Sequence, residues 1–295
     1  MRIMIFTVAF HFFILNGICQ TSYSGLVGKD TIELVTDIDR YSHGNVNAIY
    51  SFRKNNEPIV LRGKITENKL TFFEVSRDSI GLTFDHFDMN QKNINGTWTD
   101  YKAKKELTIT LHKDFDIDYS DSIEWKDKEI IQPVSFKNQY FKLIISKKKG
   151  DFDAYVSGVK IIQKKTDSLR QQVDLDCQLS GMGLNNISLG DYNFDGYLDF
   201  SVFEHSYAGP NTSSVYFLYN PRTKRYFKSS FSGVSLEFDT QSKTIFERNQ
   251  CCGGSTITTA IYRVVKNKMV LIGQHCYIWD EKKQDLVEHK MKDCE

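Results

Sequence analysis

Between residues 23 and 113 apolar and polar positions alternate in short runs. Thr31-Ile32-Glu33-Leu34-Val35, Asn47-Ala48-Ile49-Tyr50-Ser51-Phe52 and Ile59-Val60-Leu61-Arg62-Gly63 come first. Lys69-Leu70-Thr71-Phe72-Phe73-Glu74, Leu82-Thr83-Phe84-Asp85, Ile94-Asn95-Gly96-Thr97-Trp98 and Leu107-Thr108-Ile109-Thr110-Leu111 complete the set. A period of two, punctuated by polar turns such as Thr66-Glu67-Asn68, predicts antiparallel strands. Seven such strands make residues 20–113 a meander or a small barrel. Leu70, Phe72, Trp98, Leu107, Ile109 and Leu111 would line its inner face. His43, His86 and His112 are scattered and read as surface or turn residues.

Residues 114–132 lose the alternation. Asp116, Asp118, Asp121 and Glu124 fall there without a glycine turn to gather them, so the stretch reads as a solvated linker between domains. From residue 133 to 295 the pattern returns as longer hairpins. Runs 159–163 and 169–175 flank one polar turn, 215–219 and 226–229 flank Asn220-Pro221-Arg222-Thr223-Lys224, and 260–265 and 269–273 flank Lys266-Asn267-Lys268. Repeated hairpins of similar length predict stacked β units, as in a propeller. The expected class is all-β: a meander or barrel followed by a β-propeller-like domain.

Composition agrees. The 295 residues suit two domains. Twenty-one Phe, fifteen Tyr and only four Pro favour strands. The net charge of +1 leaves no surplus to attract nucleic acid.

Residues 1–19 stand apart. Arg2 precedes an apolar run, Ile3 to Leu15, too short to span a bilayer, and small residues follow at Gly17 and Cys19. This reads as a secretory signal cleaved near Cys19 and Gln20, placing the protein in the periplasm or at the cell surface. A lipid tether at Cys19 is the alternative, but bulky Ile18 makes a poor acylation signal. No later segment reads as a membrane span. Export turns Cys177, Cys251, Cys252, Cys276 and Cys294 into disulfide candidates. Adjacent Cys251 and Cys252 rarely bridge each other, because closure distorts the peptide between them. Either is expected to pair with Cys276, one hairpin downstream. The other could meet Cys294 or Cys177, leaving one cysteine over.

One motif carries specific chemistry. Asp191-Tyr192-Asn193-Phe194-Asp195-Gly196-Tyr197-Leu198-Asp199 sets oxygen side chains at alternate positions before a glycine turn. Calcium takes six to eight oxygens, and three carboxylates so close repel one another without a cation. Asp191, Asn193 and Asp195, the Tyr197 carbonyl and Asp199 form the expected Ca2+ ligand set. Position twelve is Val202 rather than Glu, so this is the short calcium loop of β proteins, not an EF-hand. Downstream, Glu204 to Ser214 is polar and contains glycine and proline. It reads as a projecting loop in which Tyr207 and Asn211 could meet a partner. Glu204 and His205 are strand neighbours and should face opposite ways.

The segment from about Val156 to Glu295 resembles a family of exported calcium-binding, β-propeller-like proteins of Gram-negative bacteria. The likeness lies in Gly190 to Asp199, the Tyr207-Ala208-Gly209-Pro210-Asn211 loop and the Tyr216-Phe217-Leu218-Tyr219-Asn220 hairpin. The family's best-known member is a periplasmic immunity protein against a lysozyme-like toxin of a type IV secretion system. The resemblance implies calcium in the 191–199 loop and Tyr207 as a plug for a glycosidase cleft. The expected function is an exported, calcium-stabilised binding protein acting as a steric inhibitor of a lysozyme-like peptidoglycan hydrolase. A surface adhesion or glycan-binding module is the alternative. A hydrolase is the weakest reading, since the chain carries no HExxH, GxSxG or phosphate-binding glycine loop.

Overall fold

The computed structural model describes residues 19–38, 44–76, 79–117, 124–151, 153–179 and 183–294. Residues 1–18 of the expected signal segment 1–19 lie outside them, as do His43, Asp118 and Asp121, while Cys19 opens the first strand. Eight antiparallel strands come first: β1 (Cys19–Val27), β2 (Asp30–Ile38), β3 (Asn45–Phe52), β4 (Ile59–Thr66), β5 (Lys69–Glu74), β6 (Ile80–Phe84), β7 (Asn93–Asp100) and β8 (Lys105–Ile117). Each pairs with the next, and β1 pairs with β8 to close a barrel. Closure removes the two free sheet edges a meander would leave.

Alternation sends one set of side chains inward. Leu34, Leu61, Leu70, Phe72, Leu82, Ile109 and Leu111 are fully buried inside the barrel, with Tyr23, Tyr50 and Trp98 beside them. The expected inner face holds at every position, with Leu107 partly buried against the same core. β1 escaped the sequence pattern because its start is polar yet buried: Gln20, Thr21 and Ser22 all face away from water.

The acidic stretch is less of a linker than its composition suggests. β8 continues through Asp114 and Asp116, and the next strand, β9 (Trp125–Phe136), begins well before residue 133. Asp114 accepts the Ser24 hydroxyl at 2.7 Å. Asp116 accepts the Thr21 hydroxyl at 2.7 Å and the Lys113 ammonium at 2.8 Å. These acids satisfy polar groups of β1, which is why they sit in a strand.

Three antiparallel sheets follow. β9, β10 (Gln139–Lys147), β11 (Tyr155–Gln163) and β12 (Leu169–Gln178) form the first. β13 (Ile187–Gly190), β14 (Asp199–Ser206), β15 (Thr212–Asn220) and β16 (Arg225–Lys228) form the second. β17 (Glu237–Asp239), β18 (Thr244–Cys251), β19 (Thr256–Val265), β20 (Lys268–Asp280) and β21 (Asp285–His289) form the third. The protein is all-β, a closed barrel followed by three antiparallel sheets, or blades. The hairpins read from the sequence are all present.

Aromatic packing joins the blades. Phe200 is fully buried, stacked on Phe217 with ring centroids 4.7 Å apart and touching Phe141 of the first blade at 5.4 Å. Tyr192, Tyr216 and Phe238 close a second core between the second and third blades. Val35, Ile49 and Ile117 of the barrel belong to the same core as Ile130, Ile131 and Phe141, so barrel and first blade share buried apolar surface. Polar ties frame that junction: Lys142 donates to Glu33 at 2.8 Å, Ser135 to Glu57 at 2.9 Å, and Lys164 also pairs with Glu57.

The disulfide is Cys276–Cys294, and this corrects the expected pairing of Cys276 with Cys251 or Cys252. β19 lies between β18 and β20, so Cys251 sits two strands from Cys276. Two strand spacings are about 9.5 Å, beyond the Cα separation a disulfide spans. Among the described residues Cys177 is a buried free thiol, and Cys251 and Cys252 are exposed free thiols.

Candidate functional site

The 191–199 loop joins β13 to β14, which pair from Ile187↔Val202 to Gly190↔Asp199. Positive φ at Phe194 (61°) and Gly196 (85°) curls the chain back on itself. Asp191 accepts the Asp195 N–H at 3.0 Å and the Gly196 N–H at 2.8 Å. Asp195 accepts the Tyr197 N–H at 2.9 Å. The Asn193 amide donates to Asp195 at 2.8 Å and to Asn267, in the β19–β20 turn, at 3.0 Å. The loop is thereby pinned to the last blade.

Asp199 differs from the other acids. It is fully buried, and its two oxygens accept the Tyr192 N–H at 2.9 Å and the Tyr219 N–H at 2.8 Å. Burial lifts its carboxyl to about 6 against the pull of those two bonds. It ties the loop to β15. The donor set suits a hard cation: three carboxylates, a side-chain amide and the Tyr197 carbonyl, all oxygen. Among the described residues, however, no three His, Cys, Asp or Glu side chains come together at metal distance. Asp191 and Asp195 each accept loop N–H groups instead.

Tyr207 is 47% exposed, and its partners explain its pose. Its ring meets His205 edge-on at 4.8 Å, and its hydroxyl donates to Ser213 at 3.4 Å. It therefore forms a wall, lying against its own sheet. Asn211, expected at a partner surface, is buried. Its amide donates to Asn249 at 3.0 Å and to the Gln250 carbonyl at 2.7 Å, and its oxygen accepts the Gln250 N–H at 3.1 Å. That corrects its role: Asn211 anchors the loop, and its own carbonyl accepts the Tyr207 N–H at 2.9 Å.

The wall borders a groove of about 700 Å³. It opens where the β10–β11 turn, the end of β12 and the end of β14 converge. Asp151, Asp153, Asp176, Glu204, His205 and Tyr207 line it, with Cys177 at its edge. Nothing in the sequence brings these acids together; only sheet stacking does. Glu204 and His205 share the groove because a β-bulge between Phe203 and His205 breaks the alternation that should have separated them. Among the described residues no Lys or Arg pairs with any of the four carboxylates. Lys147, buried on β10, donates to the Asp151 carbonyl at 2.7 Å and holds the turn that carries Asp151. Cys177 is pushed up to about 11, chiefly by burial and then by the Glu204 charge.

Comparison with protein-family models and with curated proteins finds no match. Among solved structures, a 6-phosphogluconolactonase-like protein from Bacteroides uniformis is 10% identical, with a TM-score of 0.26 over 85% of this chain and 95% of that one. The oligogalacturonate lyase of Vibrio parahaemolyticus is 8% identical, with a TM-score of 0.23 over 89% of this chain and 80% of that one. Likenesses this slight carry no argument about activity.

Proposed function

We propose that the protein is an exported, calcium-stapled binding protein whose acidic groove receives a basic protein partner, with a lysozyme-like peptidoglycan hydrolase as the leading candidate. The carrying observation is the set of four carboxylates, Asp151, Asp153, Asp176 and Glu204, without a cation partner among the described residues and walled by Tyr207. Such a groove favours Lys or Arg side chains, which gain charge pairing together with a cation–π contact on an aromatic wall. Tyr207 lies along the groove, so the partner enters the groove; the reverse insertion of Tyr207 as a plug would first break its His205 and Ser213 contacts. Inhibition would be steric, by covering the partner's basic cleft margin. Calcium, held by Asp191, Asn193, Asp195, Tyr197 and Asp199, would stiffen the root of β14, the strand that delivers Glu204 and His205.

Titrating the mature protein in calcium with a basic lysozyme-like hydrolase tests this. Binding should weaken at least about tenfold between low and high salt, since exposed charges are screened within a Debye length. Glu204→Gln and Tyr207→Ala should each weaken it further. Absence of binding at low salt, or binding that neither variant changes, would overturn the reading. Retention on peptidoglycan with no hydrolase bound would move the assignment to a glycan-binding surface module.

A further inference from the structure

Cys251 and Cys252 have no role in the groove, yet their setting is unusual. Cys251 ends β18 in extended conformation (φ −126°, ψ 175°), and Cys252 then turns into the left-handed region at φ 56°. Gly253 and Gly254 continue there at 66° and 94°. Three successive positive φ values are rare, and a β-carbon on a left-handed residue is disfavoured. The turn is fastened by Ser255, whose hydroxyl donates to the Cys252 carbonyl at 2.9 Å and whose N–H reaches it at 3.3 Å. Both thiols are free and exposed, so reagents reach them.

We propose that Cys251 and Cys252 are a redox-active vicinal dithiol that closes into an eight-membered disulfide ring, and that closure loosens the Tyr207 loop through Gln250 and Asn211. The oxidant is a small-molecule disulfide. One thiolate attacks it and forms a mixed disulfide, releasing one thiol. The neighbouring thiolate then attacks the protein sulfur of that bond and expels the second thiol. Two protein thiols lose two protons and two electrons, and the reagent disulfide becomes two thiols. Adjacent Cα atoms lie only about 3.8 Å apart across a trans peptide, below the usual disulfide span of about 4.4 Å or more. The ring is therefore strained as well as exposed, which marks a readily reduced bond. That strain is the reason neighbours rarely bridge, and here it makes the bridge reversible. The adjacent Cys252 thiol pushes Cys251 up, so oxidation should accelerate as pH rises and thiolate accumulates.

The coupling follows from bonds already described. Closing the ring displaces the Cys251 peptide, and Gln250 immediately precedes it. Both peptide groups of Gln250 bond the Asn211 amide, and the Asn211 carbonyl holds the Tyr207 N–H. Neither half depends on what the groove binds.

The full chain is treated with glutathione disulfide, alkylated and mapped by mass spectrometry. The wild-type peptide spanning residues 251 and 252 should lose two hydrogens and carry no glutathione. Cys251→Ser and Cys252→Ser should each keep a glutathione adduct, having no neighbour to resolve it. Mild reduction should restore both thiols while Cys276–Cys294 stays closed. A stable adduct on the wild type, a bridge to Cys177 or a covalent dimer would overturn the ring. Hydrogen exchange at the Tyr207 amide should speed by about threefold or more on oxidation, as local opening becomes easier. It should not change in the double variant Cys251→Ser/Cys252→Ser. A ring that forms without altering Tyr207 exchange, or the same change in the double variant, would overturn the coupling.

Discussion

Asn211 and Gln250 exchange a reciprocal pair of hydrogen bonds: Nδ2 of Asn211 donates to the Gln250 carbonyl at 2.7 Å, and Oδ1 accepts the Gln250 N–H at 3.1 Å. A side chain here completes the ladder that a neighbouring strand would otherwise supply. Asn211→Ala leaves both backbone groups of Gln250 without these partners in a partly buried setting, a cost of about 1–2 kcal/mol. Denaturant unfolding should show that loss, and chymotrypsin should cut at Tyr207 sooner. Unchanged stability with weakened partner binding would instead make Asn211 a contact residue.

Calcium should stabilise the protein modestly. Extracellular calcium-binding modules have Kd values of about 10⁻⁴ to 10⁻³ M, and the proposed loop site is expected in that range. Calcium at about ten times Kd then adds about 1.4 kcal/mol, or a Tm rise of about 2–3 °C. Asp195→Ala should abolish that rise while leaving the apo form folded, because Asp195 is exposed and bonds only within its loop. Asp199→Ala should destabilise even without calcium, since it unpairs the buried N–H of Tyr192 and the partly buried N–H of Tyr219. Thermal melts in calcium and in chelator separate the two acids. A Tm indifferent to both would remove calcium from the account.

The difference between those two acids shows what the sequence could carry. Alternation placed the strands because one face of each is buried, so Leu70, Phe72 and Ile109 announced the barrel core. The loop was legible because its oxygen spacing is local. The groove was not. Asp151, Asp176 and Glu204 come from one turn and two strand ends, and only stacking brings them together. Period-two reasoning separated Glu204 from His205, and one bulged residue reversed that. Asn211 looked like a loop-tip polar residue because its partners, Asn249 and Gln250, lie almost forty positions away. The cysteine pairing failed for the same reason: β19 intervenes between Cys251 and Cys276.

The Cys276–Cys294 bridge fastens the last strand of the third blade. Its loop of 18 residues restricts the unfolded chain enough to be worth about 3 kcal/mol. Cys276 is fully buried and the bridge staples β20 to the short turn after β21, where little else is buried. Cys294→Ser should lower stability by about that amount and leave the barrel intact. Urea unfolding of the variant, followed by hydrogen exchange, should show the loss confined to β20 and β21. A protein equally stable with the bridge reduced would mean the third blade is held by packing alone.

Alkali should unfold the barrel through Tyr50. The ring is 1% exposed, wedged between Phe52 at 5.7 Å and the rest of the barrel core, and burial pushes its hydroxyl up to about 12. In the unfolded chain the same group titrates near 10. Between those values the unfolded state gives up its proton while the folded state keeps it, so rising pH favours unfolding. Below pH 10 both states are protonated and the group has no effect. A shift of this size is worth about 3 kcal/mol, lost as pH climbs from 10 to about 12. Tyr262, whose hydroxyl donates to Glu247 at 2.6 Å and is also raised to about 12, pulls the same way in the third blade. Denaturant midpoints measured across that window should fall steeply for the wild type. Tyr50→Phe cannot ionise, so its profile should be flatter, at a small fixed cost below pH 10. Parallel profiles for the two proteins would place the alkaline transition elsewhere.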